Sequence, residues 1–307
     1  MQKEHNKPIL VTGAHRSGTT WVAKMLSLSE TKTLIAEEPF NVEASNFGLG
    51  GLATQHFTYA PGLDQDEAKR QFEKIYNMET GQIFKRRMLP HYLSFTRNGR
   101  LIIKDPIACL SAGWIADNFD IDVVVLARHP CAFTESLRRM GWEPDLSMFT
   151  GQPALVEDYL RDLLPLIRSF DTDFDSRCAI AWKIFYLVLN DQIDRHPEWI
   201  VKTHEQLSVD PVPEYRNLYE ALALPWSEHV ENQIQLFTGS ENRVRPKGDK
   251  QHCLHRDSRA NAFRWKDKMA LGQIQLFKNL TDPEWTKHYK EMHWSLQERF
   301  HSDQVAV

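Results

Sequence analysis

"PILVTGAHRSGTTW", residues 8–21, runs a short apolar, β-branched stretch into a glycine-spaced turn and the start of a helical pattern. Gly13, Gly18 and Thr20 fit the phosphate-loop pattern G-x-x-x-x-G-K-[ST], in which a strand feeds a turn whose amides face an anion at a helix N-terminus. The lysine position of that pattern is Thr19. Gly13 and Gly18 allow close backbone approach, Thr19 and Thr20 add hydroxyl donors, and Arg16 adds a fixed positive charge. The N–H groups of residues 14 to 20 are expected to surround one anion. A nucleoside triphosphatase needs the lysine on its β- and γ-phosphates and a carboxylate for Mg²⁺. The later apolar run "VVVLAR" (123–128) ends in Arg128, not aspartate. The loop therefore suits a nucleotide with a shorter 5′ arm, against the alternative of a P-loop kinase or nucleotide hydrolase.

Outward from the loop, β-branched runs alternate with helical patterns. Strands are expected at 8–12, 33–36, 101–104, 122–127 and 199–203. Helices are expected at 18–29, 66–78, 112–119, 131–141, 154–170, 177–195, 214–223, 227–237 and 284–298. Such alternation implies an α/β protein with a central parallel sheet and helices on both faces, a three-layer P-loop-like fold. No repeat or linker divides the chain, so residues 1–307 read as a single domain. Two stretches resist assignment: 39–65, with glycines, prolines and aromatics, and 238–264, polar and basic. Long loops of this kind are often functional lids.

The 307 residues carry a net charge of −4, which gives no bias toward nucleic acid or anionic membrane. Cys109, Cys131, Cys178 and Cys253 are scattered without C-x-x-C, which favours a reduced, cytoplasmic chain. The loop begins too early for a secretory leader before it. The most apolar stretch, "AIAWKIFYLVL" (179–189), is too short to span a bilayer and contains Lys183, so it reads as a buried helix. "HCLH" (252–255) is too little for a metal site, and none is expected. The sequence leaves the oligomeric state open.

"RSGTTW" (16–21) resembles the 5′-phosphosulfate loop of the sulfotransferases that use 3′-phosphoadenosine 5′-phosphosulfate (PAPS), in which cytosolic members carry K-S-G-T-T-W. "VVVLARHPCAFTESLRRMGW" (123–142) resembles that family's 3′-phosphate motif, a strand followed by Arg and, eight residues later, Ser; these are Arg128 and Ser136. Physically, an arginine at a strand end and a serine on the next helix can converge on one phosphate. "RLIIKDP" (100–106) resembles R-L-I-K-[ST]-H-L-P, with Lys104 on the catalytic lysine, but Pro106 stands where the histidine base would be. "THEQLSVDP" (203–211) resembles Y-E-D-[ML]-x-x-D-P and puts His204 at an adenine-contacting position. "SRANAFRWKDKM" (258–269) loosely resembles R-K-G-x-x-G-D-W-K, which suggests Arg259 and Trp265.

The resemblance implies a PAPS-dependent sulfotransferase without a metal. Arg16, Ser17, Gly18, Thr19 and Thr20 would grip the 5′ phosphosulfate. Arg128, Ser136 and Arg259 would grip the 3′-phosphate, and Trp21 would stack on adenine. His15 and Trp265 join the donor-binding set, His15 with its role open. Lys104 and Arg16 would offset charge on the leaving oxygen.

The proton acceptor is chosen among Glu37, Glu38, Asp105, His15 and His129. "AEEPF" (36–40) resembles the G-E-E segment of tyrosylprotein sulfotransferases, whose second Glu is the base, and the E-P segment of carbohydrate sulfotransferases. Glu38 is therefore the expected base. The E-P likeness tilts the acceptor toward a sugar hydroxyl, on a polysaccharide or glycolipid. Phe40, Phe47, Phe57, Tyr59 and Trp142 would suit stacking on sugar faces, and equally a phenol or apolar alcohol. A binding module that kept the cradle without turnover is the remaining rival.

Overall fold

The computed structural model describes residues 7–43, 52–79, 99–242 and 255–296. Five strands form one sheet: β1 (Ile9–Gly13), β2 (Thr33–Glu37), β3 (Arg100–Lys104), β4 (Asp122–Ala127) and β5 (Ile200–Thr203). Their order is β2-β3-β1-β4-β5, and every pairing is parallel. Each strand falls within a residue or so of its expected position.

Parallel strands must be covered on both faces, and side-chain alternation sorts the chain into two cores. Ile9, Val11, Ile102, Val124 and Leu126 face one way, Leu10, Leu101, Ile103, Val123 and Val125 the other. The helices follow in chain order. α1 is Thr19–Leu26, α2 Gln65–Tyr76, α3 Ala112–Asn118 and α4 Pro130–Met140. α5 is Leu164–Phe170, α6 Phe174–Arg195, α7 His204–Val209 and α8 Pro211–Ala221. α9 is Glu228–Thr238, α10 Ser258–Ala262 and α11 Leu271–Leu280. α1, α8 and α9 cover the first face through residues such as Met25, Tyr219 and Ile234. α2, α3, α4, α6 and α11 cover the second, through Phe72, Ile115, Phe133, Phe185 and Phe277 among others.

Two of the expected helices differ in form from expectation. The segment over 154–170 is helical as expected but irregularly wound: a π turn at Val156–Leu160 and a 3₁₀ turn at Arg161–Leu163 precede α5, where Pro165 lacks the N–H of a regular ladder. Residues 284–296 form two 3₁₀ turns, Glu284–Lys287 and Glu291–Trp294, rather than the helix expected over 284–298. Their aromatic residues pack inward at Trp285, Tyr289 and Trp294, a spacing that one helical face does not hold in register. Residues 297 and 298 lie outside the described residues. The short helices α7, α10 and α11 were not expected.

α6 is the buried helix read from "AIAWKIFYLVL", and its lysine is accounted for. Lys183 donates to the Asp282 carbonyl and pairs with Glu284, both side chains 8% exposed. This pair fastens the C-terminal segment to α6. Lys183→Met is expected to cost about 3 kcal/mol of stability, because it leaves a carboxylate buried without its cation. Equilibrium urea unfolding measures this, and a loss below about 1 kcal/mol would make the pair incidental.

Candidate active site

Each strand delivers a polar residue at its carboxyl end. The phosphate loop (Ala14–Gly18) leaves β1, Glu38 follows β2 and Lys104 ends β3. Arg128 follows β4, and His204 follows β5. Open parallel sheets bind ligands outside the carboxyl ends of their strands, at the point where the connections diverge. Here that point is β1, flanked by β3 and β4. A cavity of about 820 Å³ opens there, within the range of ligand pockets.

The loop is fixed by contacts that only glycine permits. At Gly13 (φ +136°) a Cβ would lie 2.2 Å from the Leu126 carbonyl oxygen of β4. At Gly18 (φ +99°) it would meet His204 Nδ1 at 2.8 Å. Gly18 caps α1 without a side-chain hydrogen bond, and the first turn of α1 carries no acidic residue. The amides at Thr19, Thr20 and Trp21 are thus presented at the positive end of the helix. Ser17 corrects the expectation that every amide from 14 to 20 faces the anion: its N–H donates to the Ala14 carbonyl at 3.1 Å. Its side chain is fully buried, with Oγ 3.4 Å from the Tyr186 hydroxyl.

Arg16, Arg128, Arg139 and Arg256 all line the cavity. Arg16 Nε donates to Ser136 Oγ (3.2 Å), and Arg128 donates to the Arg16 carbonyl (2.6 Å). Arg128 is 9% exposed, and its Nε has no hydrogen-bond partner among the described residues. Burial, and then the charges of Arg139 and Arg256, pull the Arg16 guanidinium down to about 10. Burial does the same to Arg128, with Glu205 opposing. Crowded, desolvated cations with an unsatisfied donor form a site that an anion relieves.

On the β2–β3 side, Lys104 Nζ donates to Glu38 Oε1 at 2.6 Å. Glu38 lies on the cavity wall with φ +52°, its N–H on the Lys104 carbonyl and its Oε2 accepting from Asn41 Nδ2 at 3.1 Å. Lys104 is buried behind it and is not itself part of the wall. Glu37 points away, exposed at the end of β2. Asp105 is fully buried, and its carboxylate accepts the amides of Phe40 (2.6 Å), Ile107 (2.9 Å) and Ala108 (3.2 Å). Burial raises it to about 7. With three amides on it, Asp105 fixes the backbone around Glu38.

The remaining expected residues divide. Trp21 and His204 line the cavity beside each other, ring centroids 6.2 Å apart. His15 lines it too, wedged among Phe57, Phe133 and Phe185, and burial pulls its imidazole down to about 3. Gly141 closes α4 at φ +65° and turns Trp142 into the cavity, 5.3 Å from the Arg16 guanidinium. Phe57 also lines the cavity, whereas Phe40 and Tyr59 are core residues and Phe47 lies outside the described residues.

Two residues expected at the donor site lie off the cavity wall. Arg259 is exposed and off the cavity wall; α10 instead brings Ser258 and Asn261 to the wall, and Arg256 just before it. Asp257 caps α10 through the Ala260 amide, which sets that register. Trp265 is buried and stacks on His129 (4.6 Å, 8°), below the site rather than in it. His129, a candidate base, is itself buried in that aromatic packing, and its Nδ1 accepts from the Cys131 amide. Arg139 and Arg256 were missed. The signal for Arg139 was its place three residues after Ser136, on the same face of α4. Arg256 lies in a polar run with no periodicity to point it out.

Among the described residues no group of three His, Cys, Asp or Glu is placed to hold a metal, and no helix is long and apolar enough to cross a membrane. The "HCLH" stretch lies outside the described residues except for His255.

The profile of the sulfotransferase family matches residues 8–228. Similar solved structures include the sulfotransferase domain of an olefin synthase from Synechococcus PCC 7002 (19% identity, 91% of this chain and 97% of that one, TM-score 0.42). Another is mouse sulfotransferase SULT7A1 complexed with PAP (11% identity, 92% and 85%, TM-score 0.45). A third is the sulfotransferase STF1 from Mycobacterium tuberculosis H37Rv (17% identity, 75% and 71%, TM-score 0.39). No curated protein matches the sequence.

Proposed function

The chain belongs to the sulfotransferase family, and from that premise we propose that it transfers the sulfuryl group of PAPS to an acceptor hydroxyl, releasing 3′-phosphoadenosine 5′-phosphate (PAP). The observation that carries the donor reading is the cavity in which Arg16, Arg128 and the N-terminus of α1 converge, with a buried Arg128 Nε that has no partner among the described residues. A 3′-phosphate on Arg128 and Ser136 would supply that partner. The 5′ arm would lie on Thr19, Thr20 and Arg16, and the adenine against Trp21 and His204. Arg256 takes the place first given to Arg259.

The reaction forms a bond from the acceptor oxygen to sulfur and breaks the bond from sulfur to the 5′-phosphate oxygen. Glu38, on the cavity wall, takes the acceptor proton. Arg16 offsets negative charge growing on the leaving phosphate, and Lys104 adds charge from behind Glu38. The acceptor is read as a sugar hydroxyl, on a polysaccharide or glycolipid, from the Glu38–Pro39 likeness. The wall of Phe57, Met148 and Phe149 favours a second reading, a phenol or apolar alcohol. A screen with labelled PAPS against both classes decides between them. The fold boundary at 1–307 and a cytoplasmic setting belong to the same proposal.

Thermal shift tests the donor. PAP at about 100 times its Kd should add nearly 3 kcal/mol of stability, with or without EDTA. A shift only with ATP and Mg²⁺ would overturn the reading. Arg128→Ala should weaken PAP by about 2–4 kcal/mol, the range for truncating a buried charged contact. Its preference for PAP over adenosine 5′-phosphate should shrink in the same titrations. A variant that keeps wild-type discrimination would mean that Arg128 does not meet the 3′-phosphate.

A further inference from the structure

Beyond Ala127 the chain leaves the β4 ladder, and the backbone groups of the next residues need other partners. Buried side chains supply them. The Arg128 N–H donates to the Tyr186 hydroxyl (3.3 Å), and the Arg128 carbonyl accepts from Trp182 Nε1 (2.8 Å). The His129 N–H donates to Glu205 Oε1 (3.2 Å). Trp182 and Tyr186 stand one turn apart on α6, and Glu205 is on α7. Glu205 Oε2 in turn accepts from the Tyr289 hydroxyl at 2.8 Å. Glu205 is 2% exposed and Tyr289 4%. Tyr289 lies in the C-terminal segment, beyond residues 8–228 that the family profile matches.

Glu205 touches no part of the Arg128 guanidinium among the described contacts, yet its charge acts on it. The guanidinium spends one donor on the Arg16 carbonyl, and its Nε has no partner among the described residues. A counter-charge placed on the backbone side steadies a buried cation without consuming the donors that a ligand needs.

We propose that Glu205, held by Tyr289, is a positioning residue for Arg128: it fixes the peptide after β4 so that the guanidinium presents its open donors to the 3′-phosphate. The proposal rests on the PAPS reading of the cavity. It gives the C-terminal segment a part in donor recognition at a distance from the donor itself.

The sign of one substitution separates positioning from bulk electrostatics. Glu205→Gln keeps shape and an acceptor for the His129 amide and removes a negative charge near an anion site. Electrostatics alone would then tighten PAP. Positioning predicts that PAP weakens about tenfold, the scale of one charge-assisted hydrogen bond. Affinity for adenosine 5′-phosphate, which lacks the 3′-phosphate, should change less than about twofold. Tyr289→Phe, which leaves the charge in place, should shift the two nucleotides in the same way. Both effects should vanish in an Arg128→Ala background, as coupled residues require. Isothermal titration with the two nucleotides reads all of this, and melting curves confirm folded protein.

Tighter PAP in Glu205→Gln, equal weakening of both nucleotides, or additivity with Arg128→Ala would each overturn the proposal. A wild-type protein with no preference for PAP over adenosine 5′-phosphate would instead overturn the PAPS reading beneath it. If Glu205→Gln does not fold, Tyr289→Phe carries the same comparison.

Discussion

Glu38→Gln is expected to bind PAP nearly as well as the wild type and to turn over about 10²–10⁴ times more slowly, the usual worth of a positioned general base. Glutamine keeps the shape, and its one amide oxygen can still accept from Lys104, while its NH2 group replaces the oxygen that accepts from Asn41. It cannot take the acceptor's proton. Glu37→Gln is the control. Glu37 is exposed at the end of β2, so kcat should stay near that of the wild type. A dead Glu37→Gln, or a fully active Glu38→Gln, defeats the assignment. Asp105→Asn is expected to act differently, since that carboxylate carries three backbone amides. Its activity loss should come with a lower melting temperature.

The second large effect is acid lability. His15, His129, His204, His288 and His293 are all held below the ordinary histidine range, chiefly by burial. His15 and His288 are pulled down to about 3 and His293 to about 4. In the unfolded chain each takes up a proton as the pH falls below about 6.5, and the native state does not follow until much lower. Each therefore contributes stability above pH 6.5 that is lost as the pH falls, at up to about 1.4 kcal/mol per pH unit. Asp105 and Glu205 act in the opposite sense, because burial raises both. The histidines therefore set an expected fall in stability as the pH drops below about 6.5, which Asp105 and Glu205 partly offset. Urea midpoints at pH 7.0, 6.0 and 5.0 measure the slope. A flat profile would mean that these imidazoles are solvated in the native state.

The strands were legible because a parallel sheet buried on both faces writes β-branched runs such as "LIIK" and "DVVVLA" into the sequence. The phosphate loop, Arg128 and Ser136 were legible because their spacing is fixed by one strand, one turn and one helix. The parts that escaped depend on contacts distant in sequence. Nothing local to Trp265 says that its ring lies on His129 rather than in the cavity. α7 abuts β5 directly, so the apolar pattern passes from strand to helix without a break. Its one local signal was the capping box, in which the Thr203 hydroxyl and the Gln206 side chain each accept from the other's backbone amide. The segment over 154–170 was legible as helical from its apolar period, and its irregular winding ahead of α5 goes with Pro165, whose missing N–H breaks the regular ladder.

The strand order also sets a timetable for synthesis. β1 lies at the middle of the sheet, yet of its five strands it is the first to be synthesised. Its partners are Ile102 on one side and Asp122 on the other, opposite Ile9. At about 5–20 residues per second, the ribosome leaves β1 without either neighbour for roughly 5–20 s. Through that interval an apolar segment, Ile9–Leu10–Val11, waits unpaired beside an unfinished phosphate loop. The nascent chain is therefore most exposed to chaperones, and to sticking, while the residues between β1 and β3 are being made.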